Sequence, residues 1–378
     1  MPAGDGQLMP GEGRQLEATG SMAGGWVRAQ RKKLLDFADP SGTHYPPKMD
    51  TPQKVVIVVP TIRENNMKDF LAAWAGELKN ATIVIVEDNA ERTFDIGGKN
   101  VEHYCHQDID RELGKDAWII PRKTDCVRSY GYFKAWQKKP DMMVTLDDDC
   151  YPDEDGRDFI ATHWARLNHA GETTAWVSTL DGITPRGVPY EPENLVRRRP
   201  CVLNHGLWNN VPDFDAPTQL LHMRSSRDFA WTDRTIPVGS YFPMCGMNVA
   251  IRREAVPAFY FLLMNLKTYG FDRFGDIWAG VILKKIADHL GYSINSGSPA
   301  IKHLRASNVW ANLRKEAPGL GINETFWKAV DAVPLRGSTF RECYREIANG
   351  VVIQSAELPD YFPMLKKAML TWTDLFTE

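Results

Sequence analysis

The chain has 378 residues, 43% of them hydrophobic, which is enough for one large or two modest domains with a sizeable core. Its formal net charge of −3 argues against nucleic-acid binding, because that function needs a strong basic excess. The sequence contains no apolar run long enough for a membrane span and no pattern of a signal peptide, so we expect neither. The six cysteines show no CxxC spacing, which predicts free thiols and a cytoplasmic location.

The first part of the chain predicts a β-α-β unit. Residues 1 to about 25 are Gly-rich with few large apolar side chains and are expected to be disordered. A strong strand pattern then begins at Lys54, a helical pattern runs from Met67 to Leu78, and a second strand runs from Ala81 to Val86. This order is typical of a doubly wound, nucleotide-binding α/β half. Asp88 follows the second strand, where a carboxylate suits hydrogen bonding to a base or ribose.

Two arginines belong to elements that converge on the same edge of the predicted sheet. Arg63 comes after the first strand, and Arg128 lies near the start of a helix that ends before Pro140. Helix N-termini favour anions, and the planar guanidinium matches phosphate. We therefore expect Arg63 and Asp88 to hold a nucleoside and Arg128 to bind its phosphates. A surface helix with ordinary basic residues is the alternative for Arg128.

The most informative stretch is an apolar run, Met142 to Leu146, that leads directly into Asp147, Asp148 and Asp149. The run predicts a buried strand of a parallel sheet, and the acids then lie at its carboxyl end, where α/β sheets bind ligands. Three adjacent carboxylates repel one another, so we expect Mn²⁺ or Mg²⁺ there, with Asp147 and Asp149 as ligands and Asp148 beside the nucleotide. The alternative is a solvated acidic turn. Together with the basic helix, this layout is that of a GT-A nucleotide-diphosphosugar enzyme.

The second half of the chain is less regular. Residues 175–180 predict a strand, and the Pro-rich residues 184–199 predict a loop. Asp276 lies at the start of an amphipathic helix, where it is either a helix cap or a contact to a sugar hydroxyl. His303 follows a short predicted strand and is a candidate third metal ligand. From about residue 310 onward the pattern is helical.

Several short motifs follow one another in the middle of the chain. They are Arg128–Tyr132, Leu146–Cys150, Gly206–Trp208, Asp213–Gln219, Pro243–Asn248, Asp276–Trp278 and Asp288–Gly291. As an ordered set over roughly residues 54 to 310, they resemble the reversibly glycosylated polypeptides, which include the UDP-arabinopyranose mutases. The resemblance implies a GT-A-like α/β fold, namely a Rossmann-type sheet with helices on both faces, whereas the helical C-terminal tail is expected from the residue pattern alone. It also implies a divalent metal, a UDP-sugar substrate and a cytosolic location, and a uridine would then be the nucleoside that we expect Arg63 and Asp88 to hold.

On this basis we expect an N-terminal arm over residues 1–50, a catalytic domain over 51–310 and a helical extension over 311–378. The resemblance implies interconversion of UDP-arabinopyranose and UDP-arabinofuranose. A metal-dependent glycosyltransferase with an external acceptor and a non-catalytic subunit are the alternatives, and a homo-oligomer stays open.

The resemblance also implies self-glycosylation at an arginine. The arginine of the family lies in an Arg-Gly-x-Pro-aromatic stretch, which Arg186 and the four residues after it match. Arg197 is the rival alignment. We predict that Asp276 and one of these two arginines take part in catalysis.

Overall fold

The computed structural model describes residues 51–153, 158–177, 185–221, 232–304, 308–355 and 358–377. The predicted N-terminal arm, residues 1–50, lies outside these ranges. Within them, no helix combines the length and the apolar character needed to cross a membrane.

Strands make up the centre of the described chain. They are β1 (Val55–Thr61), β2 (Thr82–Glu87), β3 (Val101–Tyr104), β4 (Met142–Leu146), β5 (Cys150–Pro152), β6 (Gly171–Thr174), β7 (Val196–Arg199), β8 (Cys201–Asn210), β9 (Arg234–Thr235), β10 (Asn248–Ile251) and β11 (Ser293–His303).

Helices connect and cover these strands. They are α1 (Glu64–Trp74), α2 (His106–Leu113), α3 (Arg128–Gln137), α4 (Phe159–Asn168), α5 (Ala216–Leu221), α6 (Leu266–Tyr269), α7 (Gly275–His289), α8 (Val309–Ala332), α9 (Phe340–Gly350) and α10 (Tyr361–Asp374).

Nine strands form one sheet in the order β3-β2-β1-β4-β10-β8-β11-β5, with β9 paired to β11. The first four are mutually parallel, and this 3-2-1-4 order is that of a Rossmann-type half. β10 then runs antiparallel to both β4 and β8, so the second half is mixed. The predicted α/β class, with a parallel half of Rossmann-type strand order, is confirmed.

The parallel strands are apolar on both faces because helices cover both. In β1, Val56 and Val58 join a core cluster with α3 and the C-terminal helices, whereas Val55, Ile57 and Val59 join a second cluster with α1 and α4. Side chains alternate along a strand, so an unbroken run of β-branched residues supplies both layers.

The C-terminal helices pack into the same core as the sheet. The ring of Phe326 in α8 stacks on Trp278 with 4.0 Å between centroids, and Trp372 in α10 stacks on Tyr260 at 5.1 Å. α8 begins at Val309, next to the predicted boundary at residue 310. The helical character predicted for the tail is therefore present, and the tail contributes to the core that covers the sheet.

Two local predictions were wrong. The strand expected at residues 175–180 is irregular over its described part, 175–177, because the strand β6 ends at Thr174 and pairs with β7, a strand within the predicted loop. His303 does not follow a short strand but is the last residue of the eleven-residue β11. Both differences arise from strand pairing, of β6 with β7 and of β11 with β5 and β8, which the periodicity of a sequence does not reveal.

Candidate functional site

The three aspartates lie where the sequence predicted, in the turn between β4 and β5. The strands β1, β2 and β4 are parallel, so Thr61, Glu87 and Leu146 end at one edge of the sheet. β5 then pairs with the end of β11, which brings Cys150 opposite His303. The acidic cleft, as we name it, is the space at this edge around Asp147, Asp149, Asp213 and Asp276.

Asp148 is buried and faces the protein. It accepts hydrogen bonds from the Thr61 hydroxyl at 2.7 Å and from Nη2 of Arg63 at 2.9 Å. Burial raises its pKa, although the Thr61 hydrogen bond and the charge of Arg63 oppose this rise. The side chain therefore fastens the acidic turn to the loop after β1. Nε of Arg63 is also buried but has no hydrogen-bond partner among the described residues.

Asp147 is held by Arg128, the first residue of α3. Nη2 of this arginine donates to Oδ1 of Asp147 at 2.5 Å, and its Nη1 donates to the Gly246 carbonyl at 2.7 Å and to the Thr145 hydroxyl at 3.2 Å. The Arg128 side chain is 2% exposed. The structure thus brings Arg128 to Asp147, and most of its donors are occupied by protein groups rather than open to phosphate.

Asp149 and His303 meet across the β5–β11 pairing. Nδ1 of His303 lies 2.8 Å from the Val211 carbonyl oxygen, which can only accept, so Nδ1 carries the proton. In the neutral ring, Nε2 therefore presents a lone pair, and it faces Oδ1 of Asp149 at 3.7 Å. Burial and the neighbouring charge of Asp147 raise the pKa of Asp149 to about 6.

The chemistry of these side chains suits a divalent cation, although Asp147, Asp149 and His303 are not the group of described residues whose ligand atoms all lie within 4.8 Å of one another. Two carboxylates and an imidazole whose other nitrogen donates to a backbone carbonyl are the usual surroundings of a metal-binding histidine. The role of Asp147, Asp149 and His303 as ligands of Mn²⁺ or Mg²⁺ therefore stays a prediction.

A second group in the cleft was not predicted. Ligand atoms of Asp213, Cys245 and Asp276 lie within 4.8 Å of one another. Asp276 is in the first turn of α7 and accepts from the Gly246 amide at 3.0 Å. Burial, with the charges of Asp125 and Asp213, raises the pKa of Asp276 to about 8. Burial also raises the pKa of Asp213 and of the Cys245 thiol.

Of these three residues, only Asp276 had a predicted role. Asp213 and Cys245 both belong to motifs of the family resemblance, which was the one signal that could have found them. Arg273, with a left-handed φ of 73°, approaches Asp213 at 3.7 Å and bonds Glu316 of α8 at 2.7 Å. The C-terminal helices therefore reach this side of the cleft.

Asp88 lies at the end of β2 as predicted, but both of its carboxylate oxygens have protein partners. One is 2.7 Å from Nε2 of His106, and the other accepts from the Thr124 amide at 3.0 Å. Nζ of Lys123 donates to the Asp88 carbonyl at 2.7 Å. Asp88 thus orders residues 123–124 beside the cleft, and its contact with uridine stays a prediction.

The two candidate arginines lie elsewhere. Arg197 is in β7, and Arg199 of the same strand donates to the Asp288 carbonyl at the end of α7, whereas Asp276 starts that helix. Twelve helical residues separate these ends by roughly 18 Å. Arg186 is exposed in the loop before β7. Within the described ranges, neither Arg186 nor Arg197 contacts the acidic residues.

Comparison with known proteins identifies the family of this chain. Residues 51–378 match the family model described as reversibly glycosylated polypeptide. The chain belongs to this family. It is 36% identical over 335 residues to a probable UDP-arabinopyranose mutase 1 of Pisum sativum, which covers 85% of this chain and 90% of the relative.

A second relative and one solved structure were also matched. UDP-arabinopyranose mutase 1 of Arabidopsis thaliana is 36% identical over 341 residues, which is 85% of this chain and 92% of the relative. The structure of mannosyltransferase PcManGT from Pyrobaculum calidifontis in complex with GDP-Man and Mn²⁺ is 12% identical. It covers 92% of this chain and 76% of that one with a TM-score of 0.36, which is too low to support a conclusion about function.

Proposed function

We propose that this protein is a divalent-metal-dependent mutase that interconverts UDP-arabinopyranose and UDP-arabinofuranose. The observation that carries the proposal is family membership over residues 51–378, together with 36% identity to relatives named UDP-arabinopyranose mutase. The acidic cleft supports it, because carboxylates and an imidazole meet at the carboxyl edge of a Rossmann-type half.

Asp147, Asp149 and His303 are the proposed ligands of Mn²⁺ or Mg²⁺. When bound, the cation would neutralise charge on the diphosphate of the departing UDP. Asp148 supports this site indirectly, since its hydrogen bonds to Thr61 and Arg63 hold the turn that carries the two ligands.

The nucleotide is proposed to bind beside the ends of β1 and β2. Nε of Arg63 is a buried donor without a protein partner among the described residues, so it is available to an oxygen of the ligand. Asp88 is proposed to help hold the uridine, in part by ordering the segment with Lys123 and Thr124.

The proposed reaction is an isomerisation without redox chemistry. The bond between the anomeric carbon and the UDP oxygen breaks, with both electrons leaving on UDP, and it later forms again. In between, the oxygen on C5 leaves the ring and gains a proton, while the C4 hydroxyl loses a proton and closes the smaller ring. Asp276 is proposed to hold the proton that is exchanged, because its pKa of about 8 keeps it protonated at neutral pH.

Either Arg186 or Arg197 is proposed to accept the sugar in self-glycosylation. Since neither contacts the acidic residues in the described chain, we propose this as a side reaction of the activated sugar. A cytoplasmic location is also part of the proposal, supported by six cysteines that are all free thiols.

The test is incubation of the pure protein with UDP-arabinopyranose and Mn²⁺ in the absence of any acceptor. We expect the furanose isomer to appear in chromatography and proton NMR, and we expect chelation of the metal to stop its formation. If free UDP accumulates and sugar moves only when an acceptor is added, the protein is a glycosyltransferase instead. Conversion that continues after chelation would contradict the metal-dependent part.

A further inference from the structure

Arg128 occupies an unusual place for a predicted phosphate ligand. Its side chain is 2% exposed, and four N–H groups have protein acceptors. They are Oδ1 of Asp147 at 2.5 Å, the Gly246 carbonyl at 2.7 Å, the Asp125 carbonyl at 3.1 Å and the Thr145 hydroxyl at 3.2 Å. A guanidinium has five N–H donors, so nearly all of the hydrogen-bonding capacity of Arg128 is used by groups within the protein.

These contacts connect the two acidic groups of the cleft. Arg128 bonds the carboxylate of Asp147 and the carbonyl of Gly246, while the amide of the same Gly246 donates to Oδ2 of Asp276 at 3.0 Å. Position 246 accepts only glycine without rearrangement, because a Cβ there would lie 2.7 Å from the ring of Phe261. The packing around Gly246 therefore leaves little room for movement in the hydrogen-bonded path from Asp147 through Arg128 to Asp276.

We propose that Arg128 is a positioning residue. It orients the Asp147 carboxylate toward the metal and, through the Gly246 peptide, fixes the position of Asp276 relative to Asp147. This inference rests on the proposed metal-dependent function. It assigns the diphosphate to the cation and other groups, and it removes Arg128 from direct phosphate contact. A planar fork is needed, since an ammonium group cannot reach Asp147 and two backbone carbonyls at once.

The test compares Arg128→Lys with the wild type in Mn²⁺ titrations without nucleotide, followed by the electron paramagnetic resonance signal of free Mn²⁺. Lysine keeps the charge, so any change reports orientation. Loss of an outer partner of a metal ligand weakens metal binding by about 10–100-fold, and we expect about tenfold here. At saturating Mn²⁺, the affinity for UDP should return to within about threefold of the wild type.

The matched control is Arg252→Lys. Arg252 also bonds two backbone carbonyls, those of Cys201 and Leu167, but it follows β10 at the end of that strand away from the acidic turn. We expect its Mn²⁺ affinity to stay within about twofold of the wild type, even where the melting temperature falls. If Arg128→Lys does not fold, Arg128→Gln takes its place, since it keeps N–H donors without charge.

Wild-type Mn²⁺ affinity in the Arg128 variant would overturn the inference. So would a loss of UDP affinity that persists at saturating Mn²⁺, because that result indicates a direct phosphate contact. Failure of the wild type itself to bind Mn²⁺ is a different outcome, which would refute the proposed metal-dependent function and the inference with it.

Discussion

The carboxylates on the two walls of the acidic cleft differ in how close the nearest protein cation lies. On the wall made by β1, α3 and β4, two of the three acids have a close cation: Arg63 bonds Asp148 at 2.9 Å, and Arg128 bonds Asp147 at 2.5 Å, whereas Asp149 faces His303 at 3.7 Å. On the other wall, Asp213 lies 3.7 Å from Arg273, and Asp276 accepts hydrogen bonds from two backbone amides, those of Gly246 at 3.0 Å and Ile277 at 2.9 Å.

The difference indicates which carboxylates are available to a ligand. Carboxylates without close cations in a buried place are costly, and the raised pKa values of Asp149 and Asp276 express that cost. Such groups are typical of functional sites, where a bound ligand or a proton balances the negative charge that no nearby protein cation balances. We expect the pairing of Asp147 and Asp148 to fix the geometry of the acidic turn, and Asp149 and Asp276 to gain their counter-charge or proton from metal and sugar, with Asp147 as the second carboxylate on the metal.

The largest expected effect comes from Asp149→Ala, which removes an acid that the protein leaves without a close cation. We expect Mn²⁺ binding and turnover to fall by at least about 100-fold, because a direct ligand is lost. Calorimetry and the isomerisation assay measure the two effects. The control is Asp141→Ala, whose carboxylate bonds the Gln53 and Lys54 amides at the other edge of the sheet. Unchanged Mn²⁺ affinity in Asp149→Ala would place the metal elsewhere.

The pH dependence of metal binding tests the same wall. Burial and Asp147 raise the pKa of Asp149 to about 6, and only the ionised carboxylate binds a cation. We therefore expect Mn²⁺ affinity to be level above about pH 7 and to fall by about tenfold per pH unit below about 6. Titrations on both sides of this pKa show the change. A constant affinity down to about one pH unit below it would mean that Asp149 is not the ligand that titrates.

Arg63 belongs to the same wall as Asp148, which it bonds, while its Nε lacks a protein partner among the described residues. We expect Arg63→Ala to weaken UDP binding about tenfold or more, because a charge-assisted hydrogen bond contributes about 1.5–3 kcal/mol. Calorimetry with UDP at saturating Mn²⁺ is the measurement. Arg92→Ala, which loses an ion pair to Asp108 instead, serves as the control. Equal UDP affinities in the two variants would remove Arg63 from the nucleotide site.

The sequence predicted one wall better than the other, for a physical reason. An apolar run that ends in acids reveals a parallel strand and its carboxyl edge, so Asp147 to Asp149 were placed correctly. Asp213, Cys245 and Asp276 come together only through the pairing of β8, β10 and β11 and the start of α7, which local periodicity does not encode. For the same reason, the sequence could not show that Arg128 is directed inward or that β7 lies far from Asp276.

Asp276→Asn should change stability in a pH-dependent way. The Asp276 carboxyl has a pKa of about 8 in the folded state, against an ordinary value of 3.8, so it takes up a proton on folding. The folded state therefore loses stability as pH rises between these two values. The loss is at most about 1.4 kcal/mol per pH unit, and asparagine removes it. Urea denaturation at several pH values within this window should show a shallower decline in the variant. The exposed Asp215→Asn, which keeps the cap on Thr218, should decline like the wild type.

The smallest effect on turnover is expected at the arginines outside both walls. Neither Arg186 nor Arg197 contacts an acidic residue of the cleft in the described chain, and Arg197 shares a strand with Arg199, which bonds the far end of α7. We expect Arg186→Lys and Arg197→Lys to keep isomerisation within about threefold of the wild type, while one of them loses the sugar adduct seen by mass spectrometry. Lysine keeps the charge and removes the guanidinium, so the adduct reports the acceptor itself. A collapse of turnover in the variant that loses its adduct would make the glycosylated arginine an intermediate of the reaction and place β7 or its preceding loop within reach of the cleft during catalysis.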